Sequence, residues 1–182
     1  LGKENGWTCT GVEVSPVMSS FARERFGLDV KQGTLLEPQL PAASFDLVTF
    51  WDVIEHLPDP REALTEARRL LAPEGRLLVE TENVASLFAR LLRRRWQHYK
   101  DGEQLYHFDP KTIGLLLCES GFETLECRGA LGGKYVSFEF IVERTERVSR
   151  WLRTMVSPLG LLGQRAVYVN LFDEMVVVAR AR

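Results

Sequence analysis

Few cysteines, a nearly balanced charge and the lack of a long apolar run argue against several classes of protein. Cys9, Cys118 and Cys127 are an odd number without metal-ligand spacing, so neither a disulfide framework nor a metal site is expected. No stretch reaches the roughly 18 apolar residues of a membrane-spanning helix, and the amino terminus shows no signal-peptide pattern. The net charge of −2 gives no field that would attract nucleic acid or an anionic membrane. We expect a cytoplasmic protein with reduced thiols.

Segment 45–83 predicts a strand, a helix and a second strand in close succession. Its first residues are apolar and alternate, as in a strand covered on both faces. Asp59-Pro60 then places a capping side chain and a proline at the start of a helix over 61–71. After a short turn, the apolar run 76–83 returns as a strand. Such short connections are typical of a βαβ unit, and ligands commonly bind where its strands end.

The rest of the chain continues this alternation of strands and helices. In chain order we predict a strand over 7–14, a helix from Ser15-Pro16 to Gly27, a strand over 28–34, helices over 85–99 and 110–120, a strand over 122–128, helical pieces within 138–165 and a last strand over 174–179. The alternation predicts one α/β domain over 1–182, with a doubly wound and mostly parallel sheet.

Two short motifs carry a resemblance to a known family. Glu55-His56-Leu57-Pro58-Asp59-Pro60 and Thr81-Glu82-Asn83 closely resemble the middle of the class I S-adenosylmethionine-dependent methyltransferases, above all the small-molecule O-methyltransferases of quinone biosynthesis. The resemblance extends from about residue 6 to the carboxyl terminus. It implies a Rossmann-like fold with an antiparallel last strand, and S-adenosylmethionine as the cofactor.

The sequence departs from the family pattern at its amino-terminal end. The family's first strand and its G-x-G-x-G loop have no counterpart in the 182 residues. We therefore expect a methyltransferase domain without its leading part, which binds S-adenosylmethionine poorly by itself. We also expect unpaired strand edges, which favour self-association.

A first set of residues is predicted to bind the cofactor. Glu13 follows the first strand, where a carboxylate accepts both hydroxyls of a ribose, although it could equally cap the next helix. Val14 and Met18 would pack against the adenine, and an aromatic face after the strand 45–51 would attract the sulfonium. The full predicted set is Glu13, Val14, Ser15, Met18, Gly33, Thr34, Leu35, Phe50 and Trp51. Thr34 stands where the family commonly has an acid.

A second set is predicted to face the methyl acceptor. His56 and His107 are candidate general bases, since a neutral imidazole can take the proton of an oxygen nucleophile. Asp52, Trp96 and Tyr99 would line the substrate pocket together with His107. Residues 84–120 and 138–165 would cover the cleft.

We predict methyl transfer to a small molecule, with oxygen as the favoured acceptor atom. One alternative is a non-catalytic module that keeps the fold and has lost the cofactor loop. Another is an RNA methyltransferase, because aromatic residues lie among the basic residues Arg90, Arg93, Arg94, Arg95 and Lys100. Such a cluster is more often a solvated helix face, so we do not expect a nucleic-acid partner.

Overall fold

The structure, a computed structural model, describes residues 2–37, 39–96, 98–99, 104–129, 134–148, 150–169 and 172–182. Its strands are β1 (Thr10–Glu13), β2 (Asp29–Gln32), β3 (Phe45–Trp51), β4 (Leu71–Glu82), β5 (Phe122–Arg128), β6 (Lys134–Ser137), β7 (Ala166–Val169) and β8 (Glu174–Ala181). Its α-helices are α1 (Pro16–Phe26), α2 (Pro60–Leu70), α3 (Leu87–Leu92), α4 (Pro110–Glu119), α5 (Phe138–Val148) and α6 (Arg150–Val156). Short 3₁₀ helices lie at Lys3–Asn5, Ile54–His56, Arg93–Arg95 and Ser157–Leu162.

The main sheet has four strands in the order β3-β4-β8-β5. β3 and β4 are parallel, and β8 is inserted antiparallel between β4 and β5. This arrangement confirms the predicted α/β fold and its antiparallel last strand.

β1 and β2 form a separate parallel pair, with Glu13 opposite Gln32. Among the described residues, β1 pairs only with β2 and β3 pairs only with β4. One edge of β1 and one edge of β3 are therefore unpaired, as expected from the sequence.

The core lies between the main sheet and its helices. Asp59 caps the start of α2, because its carboxylate accepts the N–H groups of Arg61 and Glu62. Its inner face and that of α4 pack with the buried residues of β4 and β8 around Leu64, Leu77, Ile113, Leu117 and Val177. Their burial holds the carboxyl ends of β3 and β4 in place, and most candidate site residues follow those ends.

Two predictions about local structure need correction. The helix predicted over 85–99 ends at Leu92, because Arg93 adopts a φ of 50° that an α-helix does not allow. The second correction is the antiparallel pair β6-β7, which the sequence analysis missed on either side of the predicted helical pieces. Among the described residues, no helix has both the length and the apolar character needed to cross a bilayer.

Candidate active site

The ends of β1 and β2 bring the first group of predicted cofactor residues together. The N–H of Gly33 donates to the carbonyl of Glu13 at 3.0 Å, so the two strand ends lie side by side. Glu13 is half-buried, and its Oε1 accepts the N–H of Ser15 at 2.7 Å. One carboxylate oxygen of Glu13 thus caps the start of α1, in agreement with the capping alternative. Ser15 caps the same helix by accepting the N–H of Met18.

Apolar side chains next to Glu13 are open to solvent. Val14 is 67% exposed and Met18 is 54% exposed, so neither belongs to the core. Both side chains are therefore accessible beside Glu13.

The turn after β2 contains an acid that the sequence analysis missed. Gly33 has a φ of 131°, and a side chain there would collide with the carboxylate of Glu37. That carboxylate accepts the N–H of Thr34 at 2.9 Å. Leu35 instead packs against the hydrophobic core. Glu37 therefore lies beside Thr34 in this turn.

The end of β3 separates its two aromatic residues. Phe50 is buried in the core, whereas Trp51 is 53% exposed. Asp52 is exposed and has a φ of 49°, and its N–H donates to the carbonyl of Glu80 at 3.1 Å. A left-handed residue at this point turns the chain sharply out of the sheet. Trp51 is thus the aromatic face that remains available to a ligand.

His107 lies against a buried carboxylate at the end of β4. Its Nδ1 is 2.8 Å from Oε1 of Glu82, which is completely buried. Gln104 donates from its amide to the other oxygen of Glu82. The His107 ring itself remains more than one-third exposed. His107 therefore connects a buried acid to the surface of the site.

Several backbone hydrogen bonds fix the segment that carries His107. The N–H groups of Leu105 and Tyr106 both donate to the carbonyl of Glu55, at 2.9 and 3.1 Å. Phe108 is buried, and its carbonyl accepts the N–H of Val84 at 3.0 Å. His107 is thus held between two anchored neighbours.

Burial and like charges change the protonation of the acids at this site. Burial is the main cause that raises the pKa of Glu82 to about 8, and the nearby carboxylates of Glu55, Asp52 and Glu174 raise it further. Burial also raises the pKa of Glu55, while the hydroxyl of Thr81, which donates to it at 3.0 Å, acts in the opposite direction. Burial lowers the pKa of His107. At neutral pH the site therefore favours a protonated Glu82 and a neutral imidazole.

The predicted aromatic rim splits into a buried part and an exposed part. Trp96 is buried, and its Nε1 donates to Asp173 at 3.1 Å. Tyr99 is 41% exposed, and its ring meets the ring of His107 edge to face at 5.1 Å. His98 lies 3.8 Å from both Glu82 and Asp173. Trp96 thus belongs to the buried part of this segment, and Tyr99 lies at the surface next to His107.

The second candidate base has a different position. His56 is exposed at the end of the 3₁₀ helix Ile54–His56, whereas its neighbour Glu55 is buried. The described contacts thus join His107, rather than His56, to the carboxylate of Glu82.

No group of three or more His, Cys, Asp or Glu side chains within the described ranges is arranged to hold a metal ion.

Glu82 and Glu55 were quoted in the sequence motifs without a role. The available signal was an acid at the end of a predicted apolar strand. In the structure Glu82 lies opposite Glu174 of β8, and it contacts Gln104 and His107 of a later segment. Lys100 of the predicted basic cluster lies outside the described residues, while Arg93, Arg94 and Arg95 are exposed.

The fold and the residues at its strand ends correspond to one family. Residues 1–127 match the family described as a methyltransferase domain. The chain belongs to this family. The resemblance to class I S-adenosylmethionine-dependent methyltransferases, and with it the expected cofactor of the family, is therefore confirmed.

The chain is also similar in sequence to known methyltransferases and similar in fold to solved ones. The ubiquinone biosynthesis O-methyltransferase of Xanthomonas euvesicatoria is 30% identical over 158 residues, with 78% of this chain and 64% of the relative covered. The probable tocopherol O-methyltransferase of Oryza sativa is 35% identical over 89 residues, which cover 44% of this chain and 24% of that protein. A methyltransferase structure from Archaeoglobus fulgidus has a TM-score of 0.60 at 20% identity, covering 98% of this chain and 78% of that one.

The match to the curated relatives is partial in length. For the ubiquinone biosynthesis O-methyltransferase of Xanthomonas oryzae, 41% identity extends over 69 residues, or 29% of that protein. The solved structures are less than 25% identical to the chain and show the fold alone.

Proposed function

We propose that the protein transfers a methyl group from S-adenosylmethionine to a hydroxyl oxygen of a small molecule. The observation that supports the proposal is the 2.8 Å contact between Nδ1 of His107, whose side chain is partly exposed, and the buried carboxylate of Glu82. The names of the relatives, O-methyltransferases of ubiquinone and tocopherol, support oxygen as the acceptor atom. A hydroxyl must lose its proton during methyl transfer, and His107 is suited to take it.

The residues at the first three strand ends fit the parts of the cofactor. Glu13 would bind the ribose hydroxyls through its free carboxylate oxygen, with Ser15 beside it. Val14 and Met18 would pack on the adenine, and the turn Gly33–Thr34, with Leu35 behind it and Glu37 beside it, would bind the adenine amino group. The exposed face of Trp51 would attract the positive sulfur. The cofactor supplies an electrophilic methyl group, and these residues bind and orient it.

On the acceptor side, Asp52, Tyr99 and His107 would contact the substrate, and Trp96 would hold the segment in place. Phe50 would support Trp51 from the core. His56 is the second candidate base. Segments 84–120 and 138–165 would cover the cleft, with the mobile parts at 85–99 and 143–164. Uniformly slow amide exchange in those two parts would contradict a mobile cover. In-line positioning of the acceptor would supply much of the rate enhancement.

A labelling experiment distinguishes this proposal from its rivals. The protein as its gene encodes it is incubated with methyl-labelled S-adenosylmethionine and, in separate reactions, with phenols, catechols, amines and RNA. We expect label on the oxygen of a phenol or catechol, and at least a tenfold loss in His107→Gln but not in His56→Gln. Label on RNA alone, with steep salt dependence, would support the RNA alternative. A protein that binds no S-adenosylmethionine would be a non-catalytic module.

Two further parts of the proposal concern the cellular location of the protein and its self-association. All three cysteines are free and exposed, which suits a reducing, cytoplasmic location. The unpaired edges of β1 and β3 favour self-association through strand pairing.

A further inference from the structure

Glu82 has contacts on both of its carboxylate oxygens, and these contacts differ in kind. Oε2 accepts the amide of Gln104, whereas Oε1 faces Nδ1 of His107 at 2.8 Å. Because Gln104 occupies one oxygen, the carboxyl group cannot rotate freely, and its other oxygen stays directed at the imidazole.

The ring of His107 is also restrained from its other side. Tyr99 packs edge to face on it at 5.1 Å, with the ring planes at 88°. Tyr106 and Phe108, its two chain neighbours, are fixed by the hydrogen bonds to Glu55 and Val84 described above. With Nδ1 directed at Glu82, Nε2 is the nitrogen that remains for a ligand on the exposed part of the ring.

We propose that Glu82 is a positioning residue for His107: Oε1 accepts the Nδ1 proton, so that Nε2 carries the lone pair that takes a proton from the methyl acceptor. This inference rests on the proposed function. As the acceptor oxygen forms its bond to the methyl carbon and the bond from that carbon to sulfur breaks, the hydroxyl proton passes to Nε2. The ring then carries a positive charge, which Glu82 stabilises until the proton leaves to water.

The environment of Glu82 makes this interaction depend on pH. Glu55, Asp52 and Glu174 face it as like charges, and His98 and His107 are the ionisable groups that face it from the following segment. With Oε2 accepting the amide of Gln104, a protonated Glu82 carries its proton on Oε1 and donates it to Nδ1, so only the ionised form accepts the Nδ1 proton and stabilises the imidazolium by charge. We therefore expect turnover to rise as Glu82 ionises near pH 8.

Nitrogen-15 NMR of the histidine rings tests the positioning directly and needs no substrate. In spectra recorded above about pH 8, where Glu82 is ionised, we expect His107 of the wild-type protein to carry its proton on Nδ1. In Glu82→Met, which has no acceptor at this place, we expect the proton to move to Nε2. Glu82→Gln keeps an acceptor oxygen, so it should retain the wild-type tautomer. His56 is exposed and serves as the internal control, whose signals should not change.

Turnover provides the second measurement. Glu82→Met should lower kcat at least tenfold and leave KM for S-adenosylmethionine within twofold, while Glu82→Gln recovers part of kcat and loses the rise near pH 8. A wild-type proton on Nε2, or a proton that stays on Nδ1 in Glu82→Met, would overturn the inference. If Glu82→Met does not fold, the wild-type spectrum alone decides. Inactivity toward every acceptor would count against the proposed function, while the tautomer would still decide on Glu82.

Discussion

At the scale of single residues, the central feature is an acid buried where the sheet ends. Glu82 contacts Gln104, His107 and, at 3.8 Å, His98, and it faces other acids. A protein that needed only stability would place an apolar side chain at this position, since a buried charge costs free energy. The retention of an ionisable group beside an imidazole supports a chemical role.

The raised pKa of Glu82 predicts how stability depends on pH. Glu82 binds its proton more tightly in the folded than in the unfolded protein, so its contribution to stability is complete below about pH 4.5 and declines as the pH rises to about 8. We expect the free energy of unfolding in urea to fall between about pH 5 and pH 8 and to level off above that range. Glu82→Gln, which cannot ionise, should flatten this dependence. An equally steep decline in Glu82→Gln would show that another group is responsible.

Some residues of the proposed site could be predicted from the sequence, and others could not. His107 was recognisable as a candidate general base, and Glu13 from its place after a strand. Glu82 was not, because the groups around it, Glu174 of β8 and the side chains of Gln104 and His107, come from later parts of the chain. Glu37 was missed for a related reason, since only the left-handed turn at Gly33 brings it back to Thr34.

At the scale of elements, helix starts were the easiest features to predict. α1, α2 and α4 each begin with a capping side chain followed by proline, and all three starts agree with the predicted ones. The end of α3 was not predictable, since nothing in an arginine-rich run indicates a left-handed residue at Arg93. β6 and β7 were missed because each is short and pairs only with the other across α5 and α6.

The cap of α4 is a testable element, because this helix directly follows the segment of His107. Asp109 accepts the N–H groups of Lys111 and Thr112 at 2.9 and 2.8 Å, and these bonds lower its pKa. Asp109→Ala should lower the free energy of unfolding at neutral pH by about 0.5 to 2 kcal/mol. The loss should shrink as the pH falls and the wild-type aspartate becomes protonated. Glu24→Ala, at an exposed acid of α1, is the control and should change stability little.

At the scale of the whole molecule, the described residues form three sheets, and two of them, the pair β1-β2 and the main sheet, carry the residues of the proposed site. The ends of β1 and β2 carry the groups assigned to the ribose and adenine, and the ends of β3 and β4 carry those assigned to the sulfonium and the acceptor. β1 and β3 each leave one edge unpaired. Those edges predict concentration-dependent association of the 182-residue chain, measurable by analytical ultracentrifugation. A monomer at every concentration up to the millimolar range would contradict it.

The most direct test of the account is the affinity for S-adenosylmethionine, measured by calorimetry on the protein as its gene encodes it. Glu13→Ala should weaken binding by about 1.5 to 3 kcal/mol, or roughly 10- to 150-fold. Glu13→Gln keeps an oxygen for the N–H of Ser15 and should lose less, and Glu24→Ala should bind as the wild type does. Melting temperatures of the variants exclude simple unfolding as the cause. An affinity of Glu13→Ala within twofold of the wild type would contradict the assignment of the cofactor site.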